Sequence, residues 1–210
     1  MRPLFLLLAI ACSSPSEASP GADQAPAPVP TAAAGQATAV FAGGCFWCLE
    51  SDFDKLDGIV HTTSGFAGGR SANPTYMEVV SETTGHQEVV HVVYEPAKLS
   101  YTALVDYFLR HVDPTDDGGQ FCDRGDSYRP VIFAGNDAER AIAEGAIAAI
   151  EASKVLPGPI KVPVVTGKPF YAAEVYHQDF HEKNAGRYLS YRMGCGRDRK
   201  VAQVWSGAAK

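Results

Sequence analysis

The hydrophobic and polar positions of the chain predict strands and helices that alternate along most of its length. Short apolar runs rich in β-branched and aromatic residues predict strands at 38–42, 59–67, 88–94, 130–134 and 160–166. Apolar residues at helical spacing predict helices that begin near residues 45, 74, 100 and 136, and a further helix over 172–184. The strand at 88–94 is apolar on both faces, which is typical of a central strand. We therefore expect a two-layer α/β sandwich around a mixed β-sheet.

The first residues of the chain lack this alternation. Residues 4–11 are apolar and follow Arg2, but they are too few to span a bilayer, so we expect a secretory signal peptide over 1–11. Cys12 stands directly after it, in a pattern that resembles a bacterial lipoprotein cleavage site, and we expect its lipidation. Ordinary signal cleavage nearby is the alternative. The expected location is the cell envelope, as a periplasmic lipoprotein or as a soluble periplasmic or secreted protein.

Two further segments have compositions that do not favour a packed core. Residues 12–37 are rich in Pro, Ala and Ser, so we expect a disordered linker there. The folded domain is expected to span 38–210. Its last part, about 185–210, is basic and interrupted by glycines, and we expect it to be a mobile segment with Cys195 in a glycine loop.

Charge and cysteine content narrow the functional classes. The formal net charge is -6, so the chain has no basic footprint for nucleic acid. Five cysteines are too few for a disulfide-dense scaffold of 210 residues. With an odd count and an export signal, at least one thiol is expected to be free, lipidated or catalytic.

Cys45 stands where a strand ends, two glycines turn and a helix begins. Unpaired N–H groups and the positive end of a helix favour negative charge there, so we expect the Cys45 thiol to be shifted toward thiolate. Cys48 follows about one helical turn later, and Phe46 and Trp47 place apolar surface beside the sulfur. The alternative is a buried cysteine among core aromatic residues.

Four other residues offer complementary chemistry. Glu88 begins the predicted central strand, and a carboxyl group beside aromatic walls has a raised pKa that suits a general acid. Tyr76 and Tyr128 can donate hydrogen bonds to an oxygen, while Asp123 lies in a long polar loop. The alternatives are a surface glutamate, core tyrosines and a turn aspartate. Together with the thiol, this set matches a sulfoxide, which has a methyl group, an oxygen and an electrophilic sulfur.

Several motifs in order resemble one family over 40–205, nearly the whole domain. They are Gly43-Gly44-Cys45-Phe46-Trp47, Gly85-His86-Gln87-Glu88, Asp113-Pro114-Thr115 and Tyr176-His177-Gln178-Asp179-Phe180. They resemble the type A peptide methionine sulfoxide reductases. This resemblance implies a ferredoxin-like core within the α+β sandwich. It also implies reduction of methionine S-sulfoxide, free or in proteins, without a metal or an organic cofactor.

The resemblance implies a role for each candidate residue. Cys45 attacks the sulfoxide sulfur and becomes a sulfenic acid, and Glu88 protonates the oxygen. The substrate-binding residues are Phe46, Trp47, Tyr76, Asp123 and Tyr128. A second thiol then forms a disulfide with Cys45, and an external dithiol such as thioredoxin or an envelope equivalent reduces it. Family members are usually monomers.

The resolving thiol and the functional class each leave alternatives. Three cysteines are candidates for the resolving thiol: Cys195 is the first choice and Cys48 the second, and the two could also act in sequence as a relay. Cys122 is the third candidate, and its alternative is a packed loop thiol. One alternative function is a general thiol–disulfide oxidoreductase that uses Cys45 and Cys48. Another is a zinc- or copper-binding lipoprotein that uses all four of these cysteines, although only one pair is closely spaced.

Overall fold

The computed structural model describes residues 24–209, in which eight strands form two sheets. The strands are β1 (Ala37–Ala42), β2 (Ile59–Ala67), β3 (Gln87–Tyr94), β4 (Gly119–Gln120), β5 (Asp123–Arg124), β6 (Val131–Ala134), β7 (Val164–Thr166) and β8 (Phe170–Ala172). The large sheet has the order β7-β6-β1-β3-β2-β8, and β4 pairs with β5 in a small separate hairpin. The sheet is mixed, because β6 and β7 run parallel while its other pairs are antiparallel.

Seven α-helices accompany these strands in the described part of the chain. They are α1 (Phe46–Phe53), α2 (Tyr76–Val80), α3 (Tyr101–Arg110), α4 (Asp137–Ser153), α5 (Phe180–Lys183), α6 (Ala185–Cys195) and α7 (Arg197–Val204). The elements β1-α1-β2-β3-α3-β6 with the strand order β6-β1-β3-β2 form the ferredoxin-like core, as expected. The predicted central position of β3 is confirmed, because β3 pairs with β1 on one side and β2 on the other.

Alternate residues of each strand point to opposite faces of the sheet, so the core is divided between the two faces. One face carries residues such as Phe41, Phe66 and Val90, which pack with apolar residues of α1 and α3 in the main cluster. Residues of the opposite parity, such as Val89 and Phe133, form a smaller cluster on the other face. The face that carries the main cluster therefore positions α1, whose first turn follows Cys45.

Helices α3 and α4 begin at residues whose side chains cap the first turn, as the sequence predicts. The Ser100 side chain accepts a hydrogen bond from Ala103 N–H, and the Asn136 side chain accepts one from Glu139 N–H. The short helix α2 begins later than Pro74 suggests, because Thr75 and Glu78 form a capping box. The predicted strand at 160–166 shortens to β7.

The region after Phe170 differs most from the prediction. The expected helix over 172–184 is wrong: β8 occupies its start, a 3₁₀ turn follows and α5 has only four residues. The cause is tertiary, because the Gln178 side chain bonds to Ser64 N–H and C=O while Asp179 takes a left-handed conformation at φ 53°.

The C-terminal segment is helical where a mobile glycine loop was expected. Cys195 is the last residue of α6, and Gly196 provides its left-handed cap at φ 70° before α7 begins. Asp52 of α1 fixes this segment: its carboxylate lies 2.9 Å from the Arg192 guanidinium and 3.5 Å from that of Arg197. All three side chains are largely buried, so these ion pairs position α6 and α7 against α1.

Part of the predicted linker pairs with the domain. Ala27 N–H donates to Ala173 C=O and Val175 N–H donates to Ala25 C=O, so residues 25–27 lie beside 173–175. The expectation of a linker up to residue 37 therefore fails for this stretch. The predicted signal peptide (1–11) and Cys12 lie outside the described residues. Within 24–209, none of the helices combines the length and the apolar composition that crossing a bilayer requires.

Candidate active site

Cys45 is the residue around which the site is built. It is the N-cap of α1, directly after the turn in which Gly44 adopts φ +81°. Its carbonyl accepts hydrogen bonds from Cys48 and Leu49 N–H, which closes the first turn of the helix. A Cβ atom on Gly44 would lie 2.6 Å from the Gln120 Cβ, so only glycine fits here. This turn places the Cys45 sulfur at the end of β1, with the side chain 6% exposed.

Glu88 reaches the same place from the neighbouring strand. Its Oε2 accepts a hydrogen bond of 3.0 Å from Phe46 N–H, the residue next to Cys45. Burial raises the pKa of Glu88 to about 8, and this hydrogen bond opposes the rise only in part. The carboxyl group is therefore protonated at neutral pH and can donate a proton inside the pocket.

One small cavity contains all the predicted substrate-binding residues. Its volume is about 80 Å³, and it is lined by Cys45, Phe46, Trp47, Tyr76, Glu88, Asp123, Tyr128 and Tyr191. Since one water molecule accounts for about 30 Å³ of liquid, this space takes only a few heavy atoms. A methyl group against the aromatic rings and an oxygen at the phenols would fill it. Burial raises the pKa of both Tyr76 and Tyr128, so these phenols remain hydrogen-bond donors.

A larger cavity lies elsewhere and lacks the required chemistry. Its volume is about 680 Å³, and it is lined by residues of β6, β7 and nearby loops, including Phe133, Val165 and Lys168. Gln87 faces this cavity, whereas Glu88, the next residue of β3, faces Cys45. No cysteine lines it, so the smaller cavity is the candidate active site.

Tyr191 is a pocket residue that sequence reasoning missed. It belongs to α6, and its hydroxyl donates a 2.5 Å hydrogen bond to Asp123 Oδ2. Tyr191 lies in the segment that was expected to be mobile. The local sequence shows only a mixture of polar and aromatic residues, which does not predict where Tyr191 lies relative to the pocket. The fold brings α6 over the pocket through the Asp52 ion pairs, and Tyr191 thereby joins the lining.

His177 belongs to one of the motifs, but the sequence does not indicate its structural role. Its Nδ1 accepts a 3.0 Å hydrogen bond from Trp47 Nε1–H, and its ring centroid lies 4.8 Å from that of Phe46 and 4.4 Å from that of Tyr76. Burial lowers the pKa of His177 to about 4, so the ring is neutral and can accept this bond. Trp47 also stacks on Phe180 with centroids 3.7 Å apart.

The resting state of Cys45 differs from the expected thiolate. Burial raises the pKa of the Cys45 thiol well above its ordinary value, and Cys48, Glu88 and Asp123 raise it further. The prediction from the helix start is thus wrong for the resting site, because lost hydration outweighs the favourable helix end. Cys45 rests as a thiol.

Cys48 is the free thiol next to Cys45. It is 1% exposed, and both cysteines are unbonded. The pKa of Cys48 is lowered, first by a hydrogen bond from the Cys45 thiol and then by Arg197 and Arg192, against the effect of burial. Within this pair, Cys48 therefore loses its proton first.

The other two cysteines of the domain are bonded to each other. Cys122, expected to be a packed loop thiol, is exposed and forms a disulfide with Cys195. Cys195, the first choice as resolving thiol, therefore has no free sulfur in this state. Within residues 24–209, Cys122, Asp123 and Cys195 are also the single group of three or more His, Cys, Asp or Glu side chains spaced to bind a metal ion. Within residues 24–209 the four cysteines do not form one metal-binding cluster, so the structure does not support a metal site that all four share.

Comparisons with known proteins agree with this geometry. The profile of the family described as "Peptide methionine sulfoxide reductase" matches residues 37–209. The chain is 52% identical over 171 residues to peptide methionine sulfoxide reductase MsrA 2 of Caulobacter vibrioides, covering 81% of this chain and 86% of the relative.

Solved structures of the yeast protein Mxr1 are also similar. Its reduced form has a TM-score of 0.67 and 30% identity, covering 72% of this chain and 87% of that one. Mxr1 in complex with Trx2 has a TM-score of 0.51 and 23% identity, covering 72% and 89%, which shows a shared fold. The chain therefore belongs to the peptide methionine sulfoxide reductase family, oxidoreductases that act on the sulfur of methionine sulfoxide.

Proposed function

We propose that the protein reduces the S epimer of methionine sulfoxide, free or within proteins, and that Cys45 is its nucleophile. The observation that supports this assignment is the small cavity in which the Cys45 thiol, the Glu88 carboxyl, two phenols and the aromatic pair Phe46 and Trp47 meet. The cavity matches one methyl sulfoxide group in size and in chemistry.

The proposed reaction starts from the thiol and the protonated carboxyl. Glu88 donates its proton to the sulfoxide oxygen, and the hydroxyls of Tyr76 and Tyr128 bind that oxygen. The Cys45 sulfur attacks the substrate sulfur as its own proton leaves, and this proton restores Glu88. This attack forms a bond between the two sulfurs. That bond and the sulfur–oxygen bond of the substrate then break as the oxygen is transferred to Cys45. The substrate sulfur gains two electrons and leaves as a thioether, while Cys45 loses two electrons and becomes a sulfenic acid.

We assign the resolving step to Cys48. Its sulfur is free and adjacent to Cys45, whereas Cys195 can act only after its bond to Cys122 is reduced. Condensation of the Cys45 sulfenic acid with the Cys48 thiol yields a disulfide and one water molecule. An external dithiol then reduces this disulfide. A reductant of the thioredoxin class is our candidate, in keeping with the Mxr1–Trx2 complex of similar fold.

Export and a lipid on Cys12 complete the proposal. They rest on the apolar segment 4–11 and on the cysteine that follows it. We propose a monomeric enzyme in the cell envelope. The mass of the mature N-terminus in a wild-type strain and a Cys12→Ala strain tests the lipid, and light scattering of the purified protein tests the monomer.

A single-turnover experiment tests the activity and the resolving thiol together. Pre-reduced enzyme is mixed with the separate S and R epimers of methionine sulfoxide, and the products are quenched with an alkylating agent and mapped by mass spectrometry. We expect one methionine per enzyme from the S epimer and a Cys45–Cys48 disulfide. Cys45→Ser should form no methionine, whereas Cys48→Ser should still form one equivalent and accumulate the sulfenic acid.

Three outcomes would contradict the proposal. Methionine formation by Cys45→Ser would exclude this nucleophile, and a Cys45–Cys195 disulfide would exclude Cys48 as the resolving thiol. Reduction of insulin disulfides without any sulfoxide reduction would instead favour the general thiol–disulfide oxidoreductase.

A further inference from the structure

Cys122, Asp123 and Cys195 form a cluster of three potential metal-ligand groups, of which Asp123 lines the pocket. Their ligand atoms all lie within 4.8 Å of one another. The Cys122 sulfur lies 3.7 Å from Asp123 Oδ1, and the Cys195 sulfur lies 4.0 Å from Asp123 Oδ2. In a tetrahedral zinc site the sulfur and oxygen ligands are about 3.5 Å apart, given metal–ligand distances of about 2.3 and 2.0 Å. Each carboxylate oxygen is therefore close to ligand spacing from one sulfur, and one oxygen lies within 4.8 Å of both sulfurs.

The framework of this group does not depend on the disulfide. Arg197 directly follows the cap of α6, and its guanidinium donates to Gly43 C=O at 3.0 Å and to His111 C=O at 2.9 Å. The same guanidinium lies 4.8 Å from the ring centroid of Phe121, the residue before Cys122. These contacts join the end of α6 to the loop that carries Cys122. After reduction, the two sulfurs should therefore remain neighbours.

One backbone contact also favours the thiolate form that metal binding requires. The backbone N–H of Cys122 lies 3.1 Å from the Cys195 sulfur, and such donors stabilise a thiolate. Thiolate sulfur and carboxylate oxygen are both established zinc ligands.

We propose that reduced Cys122 and Cys195, together with Asp123, form a zinc site that inhibits the enzyme. A dithiol reductant first supplies two electrons and two protons to the disulfide and is itself oxidised to a disulfide. Zn²⁺ then binds the two sulfurs with loss of their protons and takes one carboxylate oxygen, and water completes the tetrahedron.

Inhibition follows from the double position of Asp123. This residue lines the pocket beside Cys45, and its Oδ2 accepts the hydrogen bond from Tyr191. A carboxylate drawn toward zinc withdraws from that hydrogen bond and alters the wall that meets the substrate. The oxidised Cys122–Cys195 pair cannot bind zinc, so sensitivity to the metal should depend on the state of this disulfide.

Calorimetric titration of the full chain with ZnCl₂ tests the site. The protein is reduced with a phosphine, desalted without oxygen and compared with protein in which the Cys122–Cys195 disulfide is intact. We expect one zinc ion per reduced chain and none per oxidised chain. Cys122→Ser should lose binding, whereas the matched variant Cys48→Ser should retain it. Zinc should also protect Cys122 and Cys195 from alkylation in the wild-type protein, which requires no variant.

The contrary outcomes are equally specific. Equal zinc binding by oxidised and reduced protein would overturn the proposal. Binding that is lost in Cys48→Ser but kept in Cys122→Ser would place zinc at the Cys45–Cys48 pair instead. Loss of sulfoxide reduction without zinc-dependent protection of Cys122 would assign the inhibition to another site. None of these results affects the assignment of Cys45 as nucleophile, because the single-turnover experiment that tests it is made without metal.

Discussion

Single side chains in the pocket act through protonation states that burial decides. Glu88 and Glu50 both have their pKa raised to about 8, chiefly by loss of hydration. Only Glu88 lines the pocket; Glu50 lies one turn along α1 and accepts a hydrogen bond from Asp179 N–H. The two residues therefore share a titration range but differ in their access to substrate.

This difference yields a prediction for the pH profile. The acid form of Glu88 is the donor, so kcat/KM for methionine sulfoxide should fall as the pH rises through about 8. Glu88→Gln should lower kcat/KM about 100-fold or more and remove this dependence, since an amide cannot give up a proton. Glu50→Gln should keep the alkaline fall. A profile of Glu88→Gln that still falls near pH 8 would assign the dependence to another group.

His177 offers a second prediction at this scale. It does not line the cavity, but it accepts the hydrogen bond that orients Trp47 and packs behind Phe46 and Tyr76. His177→Leu removes a bond worth about 0.5–1.5 kcal/mol, so KM should rise about 2- to 10-fold with a smaller change in kcat. His91, a buried histidine that packs on Phe170, provides the matched control His91→Leu. Equal effects of both substitutions would point to a general loss of packing.

At the level of elements, the turn between β1 and α1 sets the position of the nucleophile. Gly44 adopts φ +81°, and a Cβ atom would lie 2.6 Å from the Gln120 Cβ. Gln120 in turn accepts from Asp113 N–H and donates to Asp113 C=O, so it cannot easily move. The loop that precedes Asp123 is thereby packed directly against the turn that precedes Cys45.

Gly44→Ala should therefore lower stability and activity together. Strain at a positive φ costs about 1–3 kcal/mol, and displacement of Cys45 should reduce kcat/KM as well. Urea unfolding and steady-state kinetics measure the two effects. The control is Gly145→Ala in α4, where a Cβ meets nothing within 4 Å and alanine favours the helix by up to about 1 kcal/mol. A Gly44→Ala protein as stable as wild type would show that the turn tolerates a side chain.

At the scale of the whole molecule, the Cys122–Cys195 bond links two parts that are 73 residues apart in the chain. One end follows the β4 strand and the other ends α6, so the bond joins the loop that carries Asp123 to the end of α6. A cross-link that closes a loop of this length reduces the conformational entropy of the unfolded chain. Its contribution to stability should therefore be measurable apart from any role in catalysis.

Reduction of this disulfide should lower the free energy of unfolding by about 2–4 kcal/mol. Urea unfolding of the protein with and without a phosphine reductant measures the loss. The double variant Cys122→Ala/Cys195→Ala should unfold at the same urea concentration under both conditions. A reductant effect that persists in this variant would show that the loss of stability does not come from the Cys122–Cys195 bond.

Local sequence patterns determined much of this protein. Strand 59–67 matches β2 at both ends, and the strand, glycine turn and helix around Cys45 form as predicted because apolar spacing and glycine conformation act over a few residues. Ser100 and Asn136 begin their helices through side-chain bonds within three residues. The motifs also contained Cys45, Phe46, Trp47 and Glu88, which are four of the eight residues that line the cavity.

Tertiary structure alone decided the remainder. Contacts between residues that are distant in the chain decided three features. They are the pairing of Cys122 with Cys195, the helical structure of α6 and α7, and the positions of Tyr191 and His177. Asp52 shows the reason: its buried carboxylate must find cations, and these come from Arg192 and Arg197, about 140 residues later. The resting thiol of Cys45 has the same origin, since desolvation is a property of the packed molecule and is invisible in the local pattern.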